Sequence, residues 1–286
     1  MMLGSMGCKR IEGAGAGDGG AVTFPANSGL NAAGNDAAIL GVVKGIIASC
    51  GTKWDASKGW PDDCLKPYND LKVDNKDATF VNLMEDPDAK VRELGVQGLD
   101  RFGYNFRRDT ALGPRVIAAL EREPALPFNA ELAYLAGNVD LSITADAAAR
   151  IKAVALNPKT PNDVKITIMV WWPQNAGAKN AMAYDVLKAN VNATDKKMKI
   201  GALDGYAAFD ETKHDEACAY WAANMTNPDG DIAGVAFGHL TRGWSGVNAH
   251  DADSDWYVSG GGQSGEARCS QIDQGIALAS SQAKAG

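Results

Sequence analysis

The chain is short of the residues that usually announce a chemistry. It carries three histidines among 286 residues, His214, His239 and His250. None forms an H-E-x-x-H or similar paired-histidine motif, so no bound metal or other cofactor is expected. There is no G-x-S-x-G elbow, phosphate-binding loop or dinucleotide fingerprint, so the motif-bearing hydrolase, nucleotide and dehydrogenase classes have nothing to rest on. Positive charge is also scarce: 28 Lys and Arg against 35 Asp and Glu leave a net charge of −7. Phosphate neutralisation needs a basic surface, so nucleic acid is excluded as the expected partner, the cluster Arg101, Arg107, Arg108 being read as a solvated helix end. Apolar runs are short. The longest, around Ala37–Ala48, is interrupted by Lys44 and reads as a buried helix rather than a membrane span. No stretch alternates apolar and polar residues over strand length, so the fold class is expected to be all-α.

Five cysteines are present. The first, Cys8, follows Gly7 and precedes a Gly-rich stretch through Gly20. This junction resembles the end of a bacterial lipoprotein signal peptide, which implies a lipid thioether on Cys8 and a flexible tether after it. The segment departs from that pattern in lacking a charged and then apolar leader, and in holding Ser5 where a Leu-like residue is usual. With Cys8 set aside, an even four remain. Cys50 and Cys64 flank a loop rich in Gly, Pro and Trp, a natural place for a staple between two helices. A second bridge, Cys218 to Cys269, would pin the C-terminal segment to the preceding helices. Such bridges belong to an oxidising, exported compartment. The alternative is four reduced, buried cysteines.

One phrase recurs. Glu85-Asp86-Pro87-Asp88 leads into Val91, Arg92, Leu94, Gly95 and Leu99, an Asp-Pro turn followed by an apolar helical stripe with small residues. Related phrases run from Thr160 to Ile168, from Thr194 to Leu203 and from Asn227 to Ala236, with a weaker copy near 127–130. The anchors Val91, Val164, Met198 and Ile232 are spaced by one or two periods of about 34–37 residues, the period of helix-pair arrays. First helices fall between them, near 77–84, 111–122, 144–156, 177–190 and 212–225, with apolar residues three and four apart. Pro158, Pro161, Pro173 and Pro228 mark the breaks.

The Val-Arg step followed by small residues resembles the second helix of HEAT repeats, over about residues 76–245. The resemblance implies an α-solenoid of about five helix pairs, in which small residues let neighbouring helices approach closely. A tetratricopeptide array shares the period, but its aromatic and Gly-Tyr positions do not repeat here. The expected organisation is a signal remnant and tether over 1–33, N-terminal cap helices and loop over 34–75, repeats over 76–245, and a polar loop with a capping helix near 266–282 within 246–286.

Such an array implies a non-enzymatic interaction scaffold, periplasmic and lipid-anchored to the outer membrane through Cys8, holding a protein partner on the concave face of the second helices. Arg92, Lys165, Lys199 and Arg242 are the expected contact row, the first three each following an anchor. A rival reading is a carbohydrate or peptidoglycan binder that uses Trp256, Tyr257 and the acidic loop Asp251, Asp253, Asp255. That loop fails as an EF-hand, with Trp256 in place of the required Gly. A third reading places a nucleophilic pair at His214 and Cys218, which share a helix face four residues apart.

Overall fold

The computed structural model describes residues 24–122, 126, 128–175, 177–240 and 269. Among these residues the regular structure is helical, with twelve α-helices and no β-strand. An isolated antiparallel bridge between Asp55 and Gly59 is the one extended pairing among them.

The first two helices are α1 (Ala37–Cys50) and α2 (Asp62–Asn69). Asp36 caps α1 by accepting from the amides of Ala38 and Ile39, which satisfies two of its free N-terminal donors. Ten helices follow, alternating between the windows expected for first and second helices: α3 (Asp77–Met84), α4 (Ala89–Phe102), α5 (Gly113–Arg122), α6 (Asn129–Asn138), α7 (Ala147–Leu156), α8 (Asn162–Val170), α9 (Ala178–Asn190), α10 (Lys196–Ala208), α11 (Asp210–Asn224) and α12 (Gly230–Leu240). Packing is regular. The second helices touch in succession, α4 on α6, α6 on α8, α8 on α10 and α10 on α12. The first helices α3, α5, α7 and α9 do the same.

The local reasons lie in the turns. Asp88 caps α4 through the Lys90 amide, and Asp195 caps α10 through the Met198 amide. In both, the anchor three residues after the cap, Val91 or Met198, is buried, and so are the anchors Val164 and Ile232 of α8 and α12. The weak copy explains itself at this position. Phe128 precedes α6 with no side-chain cap, and the slot three residues on holds Glu131, which is exposed, while Leu132 turns into the core.

Close approach depends on glycine. A Cβ on Gly95 of α4 would stand 2.5 Å from the backbone N of Met84 and 2.7 Å from the Phe80 carbonyl oxygen on α3. A Cβ on Gly137 of α6 would stand 2.5 Å from the indole nitrogen of Trp172. The core runs without interruption from Leu30 to Leu240. Its largest members, Trp172 and Trp221, satisfy their indole N–H groups on the carbonyls of Ala133 and Leu203.

Both expected cysteine pairs are bonded. Cys50, the last residue of α1, joins Cys64 in the first turn of α2, with a Cα–Cα distance of 6.0 Å. Cys218 in α11 joins Cys269, with a Cα–Cα distance of 5.7 Å. No described helix is long and apolar enough to cross a membrane.

Candidate functional site

Two members of the expected basic row, Arg92 and Lys199, are engaged within the chain. Arg92 is buried, and its guanidinium donates to the carbonyls of Asp86 at 2.9 Å and Pro87 at 2.8 Å. Lys199 donates to the Val191 carbonyl at 3.2 Å and lies 5.8 Å from the centre of the Tyr220 ring. Lys165 is half-buried. Two of these cations therefore brace the turn that leads into their own helix. Such a turn leaves carbonyls without amide partners, and a cation one residue after the anchor is placed to satisfy them. Arg242, Trp256, Tyr257, the acidic loop and Cys8 lie outside the described residues.

Around α6 lies a patch that is acidic and aromatic. Glu131 and Tyr134 are one turn apart on the exposed side of α6. Tyr134 stands edge-on to Trp171, which caps α8, with ring centroids 6.0 Å apart and planes at 79°. Both rings are large apolar groups left in solvent, 40% and 41% exposed. The adjacent Trp172 is fully buried, as neighbouring residues on a helical turn must diverge. Asp100 of α4 and Asp163 of α8 are exposed on either side of α6. The Glu131 carboxyl reaches solvent, yet the surrounding protein strips part of its hydration. That desolvation, and then the charges of Asp100, Glu93 and Asp163, push it above the usual carboxylate range.

Glu93 itself is buried under the Cys50–Cys64 loop. It accepts from the Trp54 indole at 2.7 Å, the Trp60 amide at 2.9 Å and the Gln97 amide group at 3.2 Å. Burial raises its carboxyl, against the pull of these donors. Gly59 makes the contact feasible: its φ is +76°, and a Cβ there would sit 2.3 Å from the Glu93 carboxylate. The loop thus clamps α4 through one buried acid.

At the other end, Asp204 of α10 meets His239 of α12, with Oδ1 2.7 Å from Nε2. The imidazole stacks on Trp221, centroids 5.2 Å apart at 17°. Burial raises the Asp204 carboxyl and the histidine lowers it. Asp204 Oδ2 and His239 Nδ1 are buried without hydrogen-bond partners. Within α11, Lys213 departs from helical geometry (φ −136°, ψ 35°), and His214 begins the regular stretch after it. His214 Nε2 lies 3.6 Å from Cys218 Sγ. Because that sulfur is bonded to Cys269 and buried, it is not a free thiolate, and the nucleophilic reading of the pair has no thiol to work with.

No family model matches the chain, and no curated protein or solved structure matches it significantly.

Proposed function

We propose that the chain is a HEAT-like solenoid of five helix pairs, capped by α1 and α2, that serves as a non-enzymatic scaffold for a protein partner. The succession of contacts α4–α6–α8–α10–α12 supports the array. The observation that carries the binding reading is the exposed Tyr134–Trp171 pair, one turn from Glu131, whose carboxyl feels the charges of Asp100 and Asp163. Aromatic faces and carboxylates together favour arginine, which stacks on the ring and pairs with the acid. The partner is therefore a protein segment bearing Arg or Lys, which reverses the sign of the contact row expected from sequence. Two disulfides favour an exported protein in an oxidising envelope compartment, and Cys8 is the proposed lipid anchor.

The test is site-specific photocrosslinking in cells that express the full chain. A photoreactive residue at Tyr134 should yield a discrete protein adduct. The same residue at Lys152, on the first helix α7, should not. W171A and E131K should each abolish the Tyr134 adduct while leaving the helical signal intact. Equal adducts from both positions, or an adduct indifferent to both substitutions, would overturn the reading.

A further inference from the structure

Three donor atoms converge where the sequence shows only a helical His–Cys spacing. His214, Cys218 and Cys269 each offer one ligand atom, and these atoms all lie within 4.8 Å of one another. The third ligand arrives from across 51 residues, which is why no local metal motif marks the place. We infer that this cluster is a redox-gated metal site: oxidised, it is the Cys218–Cys269 disulfide; reduced, it holds a zinc-class cation through two thiolates and the His214 imidazole.

The geometry carries the argument. Zinc bonds thiolate sulfur at about 2.3 Å and imidazole nitrogen at about 2.0–2.1 Å in a tetrahedron. Those lengths set a sulfur–nitrogen edge of about 3.6 Å. The distance from His214 Nε2 to Cys218 Sγ is 3.6 Å. The same tetrahedron separates two sulfurs by about 3.8 Å, which lies inside the span the three atoms already occupy once the S–S bond is broken. Burial suits the assignment. Both cysteines are 1% exposed, which favours a neutralised pair of thiolates over free ones, and His214 is exposed, which leaves an entrance and a fourth position for water. Two thiolates and an imidazole are a soft to borderline set, matched to zinc rather than to magnesium or calcium. The break in α11 at Lys213 sets His214 at the head of the regular stretch, one turn before Cys218.

The chemistry balances with a named reductant. A water-soluble phosphine attacks one sulfur; water then supplies the oxygen of the phosphine oxide and both protons of the two thiols. The cation displaces those two thiol protons and takes Nε2 as its third protein ligand. Metal and disulfide exclude each other because both use the same two sulfurs.

The experiment is an anaerobic cobalt(II) titration of the full chain, before and after phosphine treatment. It is repeated in a variant with Cys8, Cys50 and Cys64 replaced, so that any thiolate signal belongs to Cys218 and Cys269. The expected result is one cobalt per chain in the reduced protein only, with tetrahedral visible bands and a thiolate charge-transfer band, both erased by zinc. H214A, an exposed position whose loss leaves the core intact, should weaken cobalt by more than the 10–100-fold typical of losing a residue that only orients a ligand. Helical content by circular dichroism accompanies each titration. Cobalt affinity unchanged in H214A, no thiolate–cobalt band in the reduced chain, or a reduced chain that loses helix and does not recover it with cobalt, would each overturn the assignment.

Discussion

Gly95 sits in the middle of α4, where alanine would normally be the better helix former. On an open helix face, replacing glycine by alanine stabilises by about 1 kcal/mol, since glycine loses more backbone freedom on folding. At Gly95 the new methyl carbon meets the backbone: Met84 N at 2.5 Å, Phe80 O at 2.7 Å and Leu83 C at 2.9 Å. Backbone atoms of a packed helix cannot turn aside as a side chain can, so α3 and α4 must separate. Overpacking of this kind costs about 1–3 kcal/mol, and three contacts under 3 Å place Gly95 at the upper end. Setting about 3 against about 1, G95A should lose about 2 kcal/mol. Gly45 in α1 supplies the control. Among the described residues nothing lies within 4 Å of a Cβ built there, so G45A should gain about 0.5–1 kcal/mol. The assay is urea unfolding followed by far-ultraviolet circular dichroism. With a slope of about 2 kcal/mol per molar urea, the midpoint should fall by about 1 M in G95A and rise by up to about 0.5 M in G45A. A G95A protein as stable as G45A would refute the idea that glycine is there to let the two helices touch.

Two further outcomes follow from the same structure. Replacing Cys50 and Cys64 by alanine opens a loop with a sequence separation of 14, at a cost of about 3 kcal/mol. It should also free Trp54 and Trp60 from α4, so tryptophan emission should shift to the red before global unfolding, and an unchanged spectrum would count against the clamp on Glu93. Lys179 is buried with its ammonium on the carbonyls of Gly137 and Val139, and burial pushes it down to about 8 while Asp140 pulls it back. A lysine lowered on folding destabilises while it is charged. Stability should therefore be flat below about pH 8 and rise between about pH 8 and pH 10.5, where the unfolded chain holds more protons. Urea midpoints across that range should show the rise in the parent protein and lose it in K179M.

The helices were legible because their signals are local. The first-helix windows 77–84, 111–122 and 177–190 match α3, α5 and α9 within two residues, since apolar spacing and Asp or Pro punctuation act over one or two turns. The anchors were legible for the same reason, and the weak copy near 130 is weak because Glu131 takes an anchor slot. Side-chain direction within the turns was not legible. Arg92 and Lys199 read as a surface row because a one-dimensional pattern shows that they follow an anchor, not that the preceding turn leaves carbonyls to be satisfied. The acidic and aromatic face was missed although Glu131 and Tyr134 stand three residues apart, because their meeting with Asp163 and Trp171 requires α6 to lie on α8. The His214–Cys218–Cys269 cluster was half visible: the helical pair is a spacing, the third ligand is a fold.

The two disulfides bind opposite ends of the helix succession, one joining α1 to α2 and the other fastening α11. A chain of elements that each touch mainly their neighbours ordinarily melts inward from its termini, where each element has a neighbour on one side only. Here covalent bonds tie down elements near both ends of the described succession. The first opening is then expected in the interior, for example around α7, whose start at Asp146 adopts a left-handed backbone (φ 57°) with no side-chain cap. Amide exchange would read this as an inverted profile, slow at the rims and fast at the waist, and reduction would turn it back.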